Sequence, residues 1–175
     1  MTQYKVLFIG PVAGGKTTAV QTVCGDRAIT TSKKTSDEVS SLKDETTVSL
    51  DYGVLKLDNG IKLHVYAAPG QERFSFMHDI LVKGSIGVIL LLSMRHIKIE
   101  EVGQILYEYL RLIDEAPCVI GVTQTENFDA NQIELFLKAI IQYHPSLSDT
   151  IVADVREKQD VLKLIEKVVV KASER

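Results

Sequence analysis

Eight residues near the start of the chain, Gly10-Pro11-Val12-Ala13-Gly14-Gly15-Lys16-Thr17, have the types and spacing to hold a polyphosphate. They read G-x-x-x-x-G-K-T, directly after the apolar run Val6-Leu-Phe-Ile9 and before Thr17–Val23, which continues as a helix. In that strand–loop–helix setting the glycines let successive backbone N–H groups point at phosphates, and the helix N-terminus adds its positive dipole end. Lys16 then reaches the β- and γ-phosphates as a point charge, and the Thr17 hydroxyl ligates Mg²⁺. The motif implies a nucleoside triphosphate site, present or ancestral.

The elements that must carry this loop alternate between strand and helix patterns, the signature of an α/β sheet with helices on both faces. Ile86–Leu92 and Cys118–Val122 are continuous apolar runs, as central parallel strands require. Val102, Ile105, Leu106, Tyr109, Leu110 and Ile113 recur at helical spacing between them, which makes Tyr107 and Tyr109 packing residues. Ile133–Ile141 mark another helix, stopped before Pro145; a short strand near Ile151-Val152 and a final helix over Val161–Val169 follow. Thr47–Leu57 and Ile61–Tyr66 flank Asp58-Asn59-Gly60, a tight-turn signal, so one strand pair is an antiparallel hairpin. Its first strand offers Val48, Leu50 and Tyr52 inward and then shifts phase to Leu55 and Leu57, which suggests a bulge at Gly53. In the same alternation Asp51 falls on the solvent side. The polar stretch Gly25–Thr46 has the composition of a functional loop.

Composition narrows the classes. At 175 residues the chain reads as one domain, residues 1–175, large enough for a core without disulfides. The net charge of −3 with no basic stripe disfavours nucleic acid as a partner. Cys24 and Cys118 lack metal-ligand spacing and read as reduced, structural thiols. Met1–Lys5 leads straight into a strand, the residue after Met1 is Thr2, and the chain ends Lys171-Ala-Ser-Glu-Arg175. A cytoplasmic protein without its own membrane anchor is therefore expected.

With Thr46-Thr-Val-Ser-Leu-Asp-Tyr52 and Ala67-Ala-Pro-Gly-Gln-Glu-Arg73 added to the phosphate loop, the chain resembles the Ras-like small GTPases. It is more similar still to their bacterial branch, the gliding-motility and roadblock-associated GTPases. The resemblance implies a P-loop NTPase fold, a mostly parallel sheet of about six strands flanked by about five helices. It implies a GTP/GDP switch whose loops, about 25–47 and 70–84, change with nucleotide state and are read by a partner protein, of roadblock type in the bacterial branch. It assigns nucleotide contacts to Gly10 through Thr18, Thr18 included, and to Thr47 and Gly70. Mg²⁺ falls to Thr17 and Thr47, and orientation of the attacking water to Gln71, beside catalytic Lys16.

Three departures qualify the resemblance. The family opens its second switch with Asp-x-x-Gly-Gln, where Asp holds Mg²⁺ through water; this chain has Ala67 there. Magnesium would then rest on Thr17, Thr47, phosphates and waters, with Asp51 as a further carboxylate in reach. Val12 stands where Ras has glycine, crowding the approach to the γ-phosphate and implying slow intrinsic hydrolysis. The base motif Asn-Lys-x-Asp is replaced by Thr123-Gln124-Thr125-Glu126, which keeps an acceptor at Glu126 with one more methylene. A carboxylate facing the base edge favours guanine's two donors; an ordinary solvent-facing acid is the other reading. Asp154-Val155-Arg156 resembles the last base-contacting loop, where a backbone N–H meets guanine O6.

His78 and His144 lack ligand partners and read as surface or satisfied residues. Lys33-Lys34 looks like a solvated loop, and Arg27 and Arg73 like surface or structural arginines near the switches. A pseudo-GTPase scaffold and an ATP-using P-loop enzyme stay open as alternatives.

Overall fold

The computed structural model describes residues 3–29, 50–57, 60–71 and 75–174. Six strands form one sheet in the order β2-β3-β1-β4-β5-β6: β1 (Gln3–Ile9), β2 (Asp51–Lys56), β3 (Lys62–Ala67), β4 (Gly87–Ser93), β5 (Cys118–Thr123) and β6 (Thr150–Val152). All neighbours are parallel except β2 and β3. Five α-helices cover the sheet among the described residues: α1 (Lys16–Cys24), α2 (Phe76–Val82), α3 (Val102–Glu115), α4 (Ala130–Tyr143) and α5 (Lys158–Ser173). The strand and helix counts, the hairpin and the α/β class are those expected from the sequence.

The apolar runs explain the arrangement. Every residue of β4 and of β5 is buried, because each strand has helices on both faces. Strand pleating sends Leu7, Ile9, Leu90 and Leu92 into a layer with α3 and α4. It sends Val6, Phe8, Ile89 and Leu91 into the opposite layer with α1 and α5. Each fully buried aliphatic side chain contributes about 1.5–3 kcal/mol, so the two layers fix β1 and β4 as the rigid base of whatever follows their carboxyl ends. Helix α4 begins as its sequence dictates: the Asp129 carboxylate accepts from the Gln132 N–H at 2.8 Å, and the Gln132 side chain accepts from the Asp129 N–H at 2.9 Å.

Three sequence expectations need correction. The β2–β3 register is continuous from Asp51 opposite Ala67 to Lys56 opposite Lys62, so there is no bulge at Gly53. Asp51, Gly53 and Leu55 are the inward residues, while Tyr52 and Val54 are half-buried on the other face. Glycine at 53 has a packing cause: a Cβ there would lie 2.6 Å from both Cβ and Sγ of Cys24, at the end of α1. Tyr109 packs into the core as expected, but Tyr107 is 71% exposed. Residues 47–49, the start of the expected first hairpin strand, lie outside the described residues.

Candidate functional site

Four of the segments read as functional follow the carboxyl ends of strands. The loop after β1 carries Gly10–Gly15, that after β3 carries Ala68–Gln71, that after β5 starts at Gln124, and that after β6 holds Ala153–Arg156. In an open α/β sheet this edge is where ligands bind.

Between Ile9 and Lys16 the backbone turns through left-handed conformations: Gly10 has φ 135°, Ala13 64° and Gly15 97°. Alternation of this kind aims successive N–H groups into one concavity. A side chain at Gly15 would put its Cβ 2.8 Å from the Val155 methyl, so Val155 is packed directly against the loop. Lys16 is buried at the first position of α1, and its ammonium donates to the carbonyls of Gly10 at 2.8 Å and Pro11 at 2.6 Å. Burial pushes the Lys16 pKa down to about 8, against the opposing pull of Asp51. Gly70 closes over the same group: a Cβ there would meet Val12 N at 2.6 Å and Lys16 Nζ at 2.7 Å. Gln71 follows it and is exposed. Val12 is also exposed, at 59%.

Asp51 is not on the solvent side, contrary to its sequence pattern; it is only 6% exposed. The Thr17 hydroxyl donates to its Oδ2 at 2.5 Å. The physical reason is a tertiary one: β2 lies beside β3 with Asp51 directly across from Ala67, and that position faces the start of α1. A hydroxyl that donates its proton to a carboxylate keeps its lone pairs free, so Thr17 and Asp51 together present hard oxygen donors. That set fits a magnesium ion, which takes one or two carboxylates or hydroxyls and keeps waters and phosphate oxygens for the rest. Thr47, the other expected metal ligand, lies outside the described residues, as do Lys33-Lys34 and Arg73.

The base segment does two jobs. Thr123 is fully buried and its hydroxyl donates to the Gly14 carbonyl at 3.0 Å. Gln124, at φ 55°, donates from Nε2 to the Ala13 carbonyl at 3.0 Å and accepts from the Ser93 hydroxyl at 3.0 Å. Both therefore brace the phosphate loop. Glu126 is exposed and stands beside Arg156, whose Nη2 lies 4.0 Å from Glu126 Oε1. In the loop after β6 the Asp154 N–H donates to Asp160 at 3.0 Å and the Arg156 N–H to Asp154 at 3.0 Å. The intervening Val155 N–H finds no acceptor among the described residues. Thr18, Gln124, Glu126, Val155, Arg95 and Arg156 share one recess of about 350 Å³.

Two histidines are settled by their contacts. His78 is buried and its Nε2 is 3.1 Å from the Pro69 carbonyl, with the ring against Tyr109, so it props the segment that carries Gly70. Burial lowers its pKa. His144 pairs with Ser146. Sequence reading missed His78 as a support of Gly70; its position nine residues from Pro69 gives no local signal. Cys24 and Cys118 are buried free thiols, pushed up to about 11 and about 12 by desolvation, as inert core cysteines should be. Among the described residues no group of three or more His, Cys, Asp or Glu could hold a metal, and no helix is long and apolar enough to cross a membrane.

Comparison with known proteins agrees with this geometry. Residues 5–127 match the family model described as Ras of Complex, Roc, domain of DAPkinase. Uncharacterized protein MJ1339 of Methanocaldococcus jannaschii is 25% identical over 138 residues, covering 77% of this chain and 78% of that protein. Among solved structures, the G domain of the T. maritima FeoB iron transporter superposes with a TM-score of 0.63 at 19% identity, over 98% of this chain and 99% of that one. A variant of Aquifex aeolicus Era bound to GDP.AlF4- gives a TM-score of 0.71 at 14% identity, over 98% of this chain and 57% of that one. At such identities the two structures speak for the fold.

Proposed function

Because the chain belongs to the Roc, Ras of Complex, family, we propose that residues 1–175 are one Ras-like domain that binds GTP and GDP with Mg²⁺ and hydrolyses GTP as a molecular switch. The observation that carries this reading is the convergence on the first turn of α1. Lys16 lies under Gly70, and Thr17 is bonded to Asp51 at 2.5 Å.

In this reading the loop amides and Lys16 bind the β- and γ-phosphates, the ammonium exchanging its carbonyl partners at Gly10 and Pro11 for phosphate oxygens. Thr17 and Thr47 would hold the ion, with Asp51 accepting the Thr17 proton and so orienting that hydroxyl. Magnesium, when bound, neutralises charge on the phosphates. The Gly70 N–H meets the γ-phosphate and Gln71 orients the attacking water. Loss of the γ-phosphate takes away the acceptor of the Gly70 N–H, and a partner protein, of the roadblock type in the bacterial branch, reads the change in that segment. Guanine preference is supported by Glu126 and by the Val155 N–H, which has no acceptor among the described residues, in one recess.

Hydrolysis is slow without a partner, because Val12, whose backbone N lies against Gly70, carries a branched, exposed side chain where Ras has glycine and so crowds the approach of Gln71. Binding of fluorescent GDP, GTP-analogue and ATP-analogue probes to nucleotide-stripped protein, with and without Mg²⁺, tests the whole reading. Tight Mg²⁺-dependent guanine binding supports it. Failure to bind any nucleotide would replace it with a scaffold, and an ATP preference with an ATP-using enzyme. Single-turnover hydrolysis that is brisk in the parent protein and unchanged in Val12→Gly would refute the slow-switch part.

A further inference from the structure

We propose that Arg156 is a positioning residue for base recognition: it latches Glu126 to the loop after β6, so that this longer acid can read a guanine edge. The proposal rests on the guanine reading above and adds to it a determinant outside the base motif.

The geometry is a chain of three charges across two loops. The Arg156 fork is held by Asp154, with Nε donating to Oδ1 at 2.8 Å and Nη2 to Oδ2 at 2.6 Å. Asp154 is itself fixed, since its N–H donates to Asp160 in the first turn of α5. With one edge of the guanidinium spoken for, Nη2 also faces Glu126 Oε1 at 4.0 Å, joining the loop after β5 to the loop after β6. An ion pair at that distance, longer than a hydrogen bond, orients the carboxylate while leaving its acceptor sites open for a ligand's donors.

Glutamate needs such a latch. It has one more rotatable bond than aspartate, and this one is exposed on a loop, so the unlatched side chain would spread over several rotamers. Guanine offers two adjacent donors, the N1 hydrogen and the exocyclic amine, and only a carboxylate held at one angle meets both. The Val155 N–H, on the residue just before Arg156, has no acceptor among the described residues and is placed to meet the base's carbonyl oxygen. Donor and acceptor are thus set by the same short turn. Exposed ion pairs of this kind add little to the stability of a free protein. The latch therefore has its effect on which base is bound, and hardly any on whether the chain folds.

The test is competition binding of GDP, IDP (which lacks the exocyclic amine) and ADP to the full chain, in the parent protein and in Arg156→Ala, Arg156→Lys, Glu126→Gln and the Arg156→Ala/Glu126→Gln pair. The expected result is a parent preference for GDP over IDP that falls about two- to fivefold in Arg156→Ala, the range that the loss of an exposed ion pair allows. Arg156→Lys should restore part of it, and Arg156→Ala should add nothing once Glu126 is Gln. Thermal midpoints should stay level across the set. A GDP-to-IDP ratio unmoved by Arg156→Ala, or losses that add in the pair, would overturn the latch while leaving the guanine reading intact. A parent protein that prefers ADP, or binds no nucleotide, would overturn the guanine reading and the latch with it.

Discussion

Asp51 stands directly opposite Ala67 across the antiparallel β2–β3 pair, and its carboxylate accepts the Thr17 hydroxyl at 2.5 Å. The position where related GTPases place a metal-holding aspartate is alanine here, but the neighbouring strand brings a carboxylate to the same end of α1. Residues that orient a metal ligand typically change metal affinity by about 10–100-fold when removed. Asp51→Ala should therefore lower Mg²⁺ affinity in the GDP complex by that range, read as the Mg²⁺ concentration needed to slow nucleotide release. Asp51→Ala/Ala67→Asp should recover part of the loss, because the two Cα positions are cross-strand partners. Unchanged Mg²⁺ dependence in Asp51→Ala would mean that the carboxylate only caps Thr17.

Lys16 makes nucleotide binding weaken as pH rises. Desolvation holds its pKa down to about 8, below the ordinary lysine value of 10.5, so the nucleotide-free protein loses this charge as pH rises through about 8. Phosphate stabilises the ammonium and raises its pKa, so binding takes up a proton at and above that pH. Affinity for GDP should fall from pH 7 to 9, and calorimetry in buffers of different ionisation enthalpy should show proton uptake at pH 8.5. Lys16→Met should bind weakly and show neither effect. By the same linkage the free protein binds fewer protons than the unfolded chain between about 8 and 10.5, so Lys16 makes stability rise with pH in that window.

Gly70 couples the second switch segment to the loop. With a Cβ at that position 2.6 Å from Val12 N and 2.7 Å from both Lys16 Nζ and Pro11 C, Gly70→Ala cannot keep the segment seated. Losing one charge-assisted hydrogen bond to the γ-phosphate costs about tenfold or more. The ratio of GTP-analogue to GDP affinity should drop by about that factor, with GDP binding less affected. An equal loss for both nucleotides would point to general damage of the phosphate loop.

Much of the architecture was legible in local pattern, and the places where it was not have a common cause. The buried runs of β4 and β5 and the helical spacing of α3 are each decided by neighbours in sequence, so they read correctly. The phase of β2 did not, because its inward positions hold Asp51 and Gly53 while Tyr52 and Val54 lie half-buried on the opposite face. A polar residue and a glycine look like outward positions until Thr17 and Cys24, 34 and 29 residues before them in the chain, are seen beside them. Thr123 and Gln124 are similar: as a base motif they look eroded, yet their hydrogen bonds to Gly14 and Ala13 preserve the bracing of the phosphate loop. The P-loop was readable because its function needs specific backbone shape at fixed spacing; the carboxylate across from Ala67 depends on strand register.

The contact between β2 and α1 gives a test of that register that needs no nucleotide. Gly53→Ala would put a methyl 2.6 Å from Cys24 Cβ and Sγ, both on the buried end of α1. Overpacking of this kind costs about 1–3 kcal/mol, since either the strand or the helix end must shift. Denaturant unfolding should show that loss with an unchanged m-value. Adding Cys24→Ala removes Sγ but leaves Cβ in place, so the pair should recover only part of the loss. Had Gly53 been a bulge residue facing solvent, Gly53→Ala would change stability by a few tenths of a kcal/mol and Cys24 would have no influence on it.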